Sequence, residues 1–229
     1  MKIVNKKAVF FDLDHTLWDF EKNSALVFEV ILAKYNVNVD IPEFVKQYSP
    51  VNAEFWKLYR DNHITQQELR YGRLKETFDR VGYEADEELI NILSEEYVTR
   101  LPQNNHLHDG AVEVLEYLKT KYSLHIITNG FHEAQEGKLK NSNIGHYFKT
   151  VTNSQMAGCK KPDPAIFEYA LNLAKVNKEE SIMIGDCIEA DVQGALDCGL
   201  DAIYFNENKF EVQEGIAQIN HLLELKNIL

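Results

Sequence analysis

Ala8-Val9-Phe10-Phe11-Asp12-Leu13-Asp14-His15-Thr16-Leu17 reads as a short apolar strand that runs straight into two acids. Alternate residues of a strand share a face, so the carboxylates of Asp12 and Asp14 look in one direction. The strand offers them no cationic partner. Unpaired acids held side by side are costly, and a divalent cation is the usual remedy. An acidic turn after a buried strand would look the same in isolation, so the rest of the chain has to decide.

The bulk properties narrow the choice. A chain of 229 residues accommodates one large domain, or a core carrying an inserted subdomain. Its 45% apolar content supports a packed interior. A formal net charge of −12 disfavours general affinity for nucleic acid polymers or anionic membranes, while leaving room for a local basic site. Met1-Lys2-Ile3-Val4-Asn5-Lys6-Lys7 is basic but lacks the apolar stretch of a signal peptide. No apolar run approaches the ~20 residues of a membrane helix. Cys159, Cys187 and Cys198 cannot all pair and fit no metal spacing, which implies reduced thiols in a cytoplasmic protein.

Beyond the opening strand, helical spacing over Gly110–Lys121 precedes an apolar strand at Leu124–Thr128 and a shorter one at Lys149–Thr152. Pro164–Ala174 reads as a helix capped by Asp163, with Pro164 in its first turn, where the missing N–H costs nothing. A strand at Ser181–Ile184, a helix ending at Gly199, a strand at Ala202–Phe205 and a helix over Val212–Leu225 complete the pattern. Short apolar strands alternating with helices predict an α/β core: a Rossmann-like parallel sheet with helices on both faces.

Residues 17–106 break that alternation and predict only helices: Ser24–Tyr35, Val51–Arg60, a helix opened by the capping box Thr65-Gln66-Gln67-Glu68, and Asp86–Leu101. The expected organisation is a catalytic core of residues 1–16 and 107–229 with an all-helical cap of residues 17–106. Such a cap is expected to act as a lid, because ligands of α/β folds bind at the carboxyl edge of the sheet.

Polar residues collect at predicted strand ends. Thr128-Asn129-Gly130 offers a hydroxyl, an amide and flexible backbone suited to an oxyanion. In Lys160-Lys161-Pro162-Asp163-Pro164, Pro162 restrains Lys161 to an extended conformation, favouring Lys161 over Lys160 as a fixed inward charge. Gly185-Asp186 ends another strand, and Asp191 lies near the start of the following helix, where its dipole favours a carboxylate. Together these would supply acids for a metal, and neutral donors with one cation for phosphate oxygens. His106 and His108, by contrast, have no matching acids nearby and are expected to be structural.

Asp12-Leu13-Asp14-His15-Thr16, Thr128-Asn129-Gly130, Lys161-Pro162-Asp163-Pro164 and Gly185-Asp186 with Asp191 resemble, in order and spacing, the four motifs of the haloacid dehalogenase-like hydrolases. The helical insertion resembles that family's cap. Asp14-His15-Thr16-Leu17-Trp18-Asp19-Phe20-Glu21-Lys22-Asn23 further resembles the pyrimidine-type 5′-nucleotidases. His15 stands where many members carry glycine, and His108-Asp109-Gly110 replaces a more usual Pro-Gly.

The resemblance implies a hydrolase in which Asp12 is the nucleophile and forms an aspartyl-phosphate. Asp14 would be the acid and then the base. Thr128, the N–H of Asn129 and Lys161 would bind phosphate. A Mg²⁺ ion would be held by Asp12, the main-chain carbonyl of Asp14 and Asp186, with Asp191 supporting the metal or orienting Lys161. Trp18, Phe20, Phe131 and His132 are the candidate substrate contacts. The expected substrates are nucleoside 5′-monophosphates. Alternatives are a phosphatase or mutase of small sugar phosphates, a 2-haloacid dehalogenase, or a phospho-accepting signalling module. Asp14 argues for phosphoryl chemistry, since halide departure needs no proton.

Overall fold

The computed structural model describes residues 5–212 and 214–229. Ala8–Phe11 (β1) is buried along its whole length and lies at the centre of a six-stranded sheet. The other strands are Ser123–Thr128 (β2), Phe148–Asn153 (β3), Ser181–Gly185 (β4), Asp201–Phe205 (β5) and Gln218–Ile219 (β6). They pair in parallel in the order β3-β2-β1-β4-β5-β6. Parallel strands joined by helices need cover on both faces, which accounts for the near-continuous apolar runs AVFF and SIMIG.

The chain forms two compact units: Phe20–Asn104, and the remainder on either side of it. The first is all helical, built from Phe20–Lys34 (α1), Ile41–Arg60 (α2), Gln66–Arg80 (α3) and Glu87–Arg100 (α4). Its interior is aromatic: the ring of Phe28 lies within 5.0 Å of those of Phe44, Tyr48 and Tyr97. The Thr65/Glu68 capping box closes as the sequence implies, Glu68 N–H donating to Thr65 Oγ1 while Thr65 N–H donates to Glu68. The second helix begins ten residues before the predicted Val51, at Ile41, where Asp40 accepts the Glu43 N–H. Pro50 sits inside it.

In the α/β unit the helices are Ala111–Leu118 (α5), His132–Asn141 (α6), Ser154–Ala157 (α7), Pro164–Ala174 (α8), Gly194–Cys198 (α9) and Leu225–Ile228 (α10). A π-helical turn, Ile188–Gln193, leads into α9. Ala8 and Phe10 share a buried cluster with Ile166 and Phe167 of α8 and Ala195 of α9. Strand alternation turns Val9 and Phe11 to the opposite face. Asp163 accepts the Ala165 N–H and starts α8, and Gly199 ends α9 at φ +89°.

The helix predicted over Val212–Leu225 does not form; Gln213 within it lies outside the described residues, as do Met1–Val4 of the basic N-terminus. Instead β6 pairs with β5, and Asn206 ties the returning chain down by donating to Phe210 O and Gln218 Oε1. Completing the sheet edge satisfies β5 backbone groups that a helix there would leave unpaired. Among the described residues, no helix is long and apolar enough to cross a membrane.

Candidate active site

Sheet register brings the sequence motifs together. Phe11 is level with Ile126 of β2 and Ile184 of β4, and Asp12 N–H donates to Ile184 O at 2.9 Å. Asp12, Thr128 and Asp186 therefore leave the sheet at its carboxyl edge from adjacent strands, where α/β folds bind ligands. All of these residues belong to the α/β unit.

Lys161 sits at the middle of the cluster. It is 2% exposed, and its Nζ donates to Asp12 Oδ1 (2.6 Å), Asp191 Oδ1 (2.6 Å) and Ile127 O (2.8 Å). An ammonium has three donors, and all three are used. The Asn129 amide clamps the Lys161 backbone: Lys161 N–H donates to Asn129 Oδ1, and Asn129 Nδ2 donates to Lys161 O. The preference for Lys161 over Lys160 agrees with this geometry, while the amide that sequence reading associated with an oxyanion instead locks the lysine in place.

Among the described residues, Asp12, Asp186 and Asp191 present carboxylate oxygens within 4.8 Å of one another. Asp191 is committed on both oxygens, to Lys161 and to the Cys187 N–H. A Cβ at Gly185 would collide with Asp191, so the glycine makes that approach possible. Asp186 accepts the Thr16 hydroxyl at 2.9 Å. Burial, and then the neighbouring Asp191, push the Asp186 carboxyl up to about 7. Burial also holds Asp12 well above the usual carboxylate range, the Lys161 charge opposing it and the other two acids adding to it. One lysine does not balance three carboxylates. Crowded hard oxygen donors with a negative excess are what a small divalent cation takes.

Asp14 stands apart from that cluster. Its Oδ1 accepts from Lys138 Nζ at 2.5 Å and its Oδ2 from Gln135 Nε2 at 2.9 Å. Burial alone would raise its pKa, but the charge and hydrogen bond of Lys138, helped by Gln135, bring it below the ordinary value. His15, between the two acids in sequence, adopts φ +61°, a left-handed conformation that explains why glycine suits this position.

Thr128 is 2% exposed and its Oγ1 accepts the Gly130 N–H, leaving the hydroxyl hydrogen for another acceptor. Trp18 is fully buried, with its indole N–H donating to Ser142 Oγ at 3.1 Å, and Phe20 is 5% exposed within the helical unit. Phe131 is half-buried and His132 exposed, just past Asn129. Sequence reading did not assign Thr16, Gln135 or Lys138. Thr16 lies inside the quoted acid motif, while Gln135 and Lys138 lie one helical turn apart on a helix that the reading omitted.

The fold and this cluster define a hydrolase of the haloacid dehalogenase-like family, and the chain belongs to it: that family's model matches residues 6–199. The chain is 33% identical to pyrimidine 5′-nucleotidase PynA of Streptococcus pneumoniae, over 90% of this chain and 86% of that one. It is 32% identical to pyrimidine 5′-nucleotidase YjjG of Escherichia coli, over 96% of each. Among solved structures, the magnesium-bound HAD-hydrolase YfnB of Bacillus subtilis superimposes with a TM-score of 0.88 at 27% identity, covering 98% of this chain and 99% of that one.

Proposed function

We propose that this chain is a Mg²⁺-dependent phosphomonoesterase acting on nucleoside 5′-monophosphates, pyrimidine nucleotides foremost, through an aspartyl-phosphate on Asp12. The observation that carries the reading is the division of labour at the end of β1: Asp12 faces Lys161 among acids in excess, and Asp14 is held separately by Lys138 and Gln135. The two nucleotidase relatives support the substrate class.

Asp12 attacks phosphorus, and the bond to the leaving alcohol breaks as Asp14 delivers its proton to that oxygen. Water then attacks the aspartyl-phosphate, its proton passes to Asp14, and the Asp12 carboxylate departs with inorganic phosphate released. Thr128 and the Asn129 N–H donate to the transferring oxygens, joined by Lys161, whose donor to Asp12 is freed as that carboxylate turns to phosphorus. Asp12, Asp186 and the main-chain carbonyl of Asp14 would hold Mg²⁺, with Asp191 anchoring Lys161. The cation supplies charge neutralisation that lets an anionic nucleophile meet an anionic phosphate. Phe131 and His132 are the accessible candidates for substrate contact.

The test is phosphate release from a panel of nucleoside monophosphates, sugar phosphates and haloacids, with Mg²⁺ and with excess chelator. Multiple turnover that favours pyrimidine 5′-monophosphates and stops with chelator is expected. Preference for sugar phosphates overturns the substrate class; halide release without phosphatase activity overturns the reaction; a single stoichiometric phosphorylation would mark a signalling module.

A further inference from the structure

We propose that Lys138 and Gln135 are positioning residues for Asp14, fixing its carboxylate in the orientation that receives a proton from the attacking water. This rests on the aspartyl-phosphate reading above. The two donors engage different oxygens of one carboxylate, Lys138 Nζ on Oδ1 at 2.5 Å and Gln135 Nε2 on Oδ2 at 2.9 Å. A single ion pair leaves a carboxylate free to rotate about χ2; one donor per oxygen fixes its plane.

Several features show that α6 is built around this contact. Its buried residues are Gln135, Lys138 and Leu139, so two of the three side chains it turns inward are polar. Residues three apart share a helix face, which delivers both donors together. Gly130 precedes the helix, and a Cβ there would overlap the Gln135 amide, so glycine leaves the space in which that amide reaches Asp14. The lysine side chain is 4% exposed against 21% for Asp14. Its ammonium lies 4.5 Å from the centre of the Trp18 ring. Trp18 is held in turn by Ser142, just past the end of α6. A lysine needed only for solubility would not be buried beneath an indole.

The consequence falls on the second half of the reaction. When water attacks the phosphorus of the Asp12 phosphoester, its proton goes to Asp14 as the bond from phosphorus to the Asp12 oxygen breaks. A good leaving group such as 4-nitrophenolate departs in the first half without a proton. Removing the positioning contacts should therefore slow the second half alone with that substrate.

The experiment is rapid-quench kinetics of purified wild-type, K138M, K138R and Q135L proteins with 4-nitrophenyl phosphate and Mg²⁺, with circular dichroism confirming folding. K138M is expected to release a burst approaching one nitrophenolate per active site. A steady state roughly a hundredfold below wild type should follow, with kcat/KM changed less than twofold, because the first half sets that ratio and KM falls in step with kcat. K138R should recover part of the steady-state rate, and Q135L should show a smaller effect of the same kind. A K138M steady-state rate within twofold of wild type overturns the proposal, as does equal loss of burst and steady-state rates. If K138M does not fold, Q135L decides by the same criteria. Absence of a hydroxylamine-labile phosphoenzyme in every variant, wild type included, would instead overturn the underlying reading. A wild-type phosphoenzyme with unaltered variants overturns only the positioning role.

Discussion

Two buried lysines hold the two aspartates of β1's end, and they do so in opposite electrostatic settings. Lys161 comes from a loop, has all three donors engaged, and still leaves Asp12 above the normal carboxylate range because burial and two further acids outweigh it. Lys138 comes from a helix and donates to Asp14, and there burial is the largest single influence, yet the lysine's charge and hydrogen bond, with the hydrogen bond from Gln135, together outweigh it and Asp14 falls below its usual value. The difference is stoichiometric. Three carboxylates against one ammonium leave a negative excess that a divalent cation neutralises, whereas at Asp14 a lysine and an amide together offset burial. A single strand end thus carries an under-neutralised acid suited to a metal-assisted nucleophile beside a carboxylate that its own lysine and amide hold ionised and in place.

The largest expected effect comes from Asp12→Asn. It removes the nucleophile and relieves the acid crowding, so kcat should fall at least about a thousandfold while the melting temperature holds or rises. Substantial turnover in the folded variant would move the nucleophile elsewhere. Next comes Lys161→Met, which strands Asp12 and Asp191 without their cation. Breaking a buried pair from one side costs about 3–5 kcal/mol, measurable by denaturant unfolding. Lys138→Met should cost less, because Asp14 keeps Gln135 and some solvent contact. Equal losses would erase the distinction drawn between the two lysines.

The pH dependence of metal binding sharpens the same contrast. Asp186 rises from 3.8 to about 7 on folding, so the folded protein holds a proton there that the unfolded chain has lost. For metal-free protein this contribution to stability is full below the unfolded value and disappears as pH climbs through about 7. A bound cation needs the carboxylate and must displace that proton. The rise in melting temperature produced by a fixed Mg²⁺ concentration should therefore be larger at pH 8 than at pH 6. A rise that shrinks with increasing pH would show that Asp186 does not take part.

How much of this could be read from the sequence differs between the two halves for a physical reason. The Lys161 half lies on strand ends and prolines, whose signals are local: apolar β1 and β4 stop at acids, and Asp163-Pro164 marks the start of α8. The Lys138 half depends on α6, His132-Glu133-Ala134-Gln135-Glu136-Gly137-Lys138-Leu139-Lys140-Asn141, which turns polar residues inward. Apolar periodicity cannot find a helix whose buried face is an amide and an ammonium. Trp18 shows a related limit: its closeness in sequence to the acid motif is visible, but the seat of its buried ring beneath Lys138 depends on a helix that apolar spacing does not reveal. At the carboxyl end, Val212, Ile216 and Ile219 fall at helical spacing, yet that stretch supplies the edge strand β6.

Thr16 provides the finest discrimination. Its hydroxyl donates to Asp186 Oδ1 at 2.9 Å and is fully buried. Thr16→Val keeps the shape and removes that donor, so Asp186 loses orientation without losing charge. Groups that orient metal-binding side chains typically account for about 10–100-fold in metal affinity or activity. Mg²⁺ affinity, titrated by the activation of phosphatase turnover, should weaken toward the lower end of that range. At saturating Mg²⁺, kcat should return to within a few-fold of wild type, since Asp12 and Asp14 keep their own lysines. A kcat that stays low at saturating metal would mean that the two halves are coupled through Thr16, and that the division at the end of β1 is less clean than its hydrogen bonds describe.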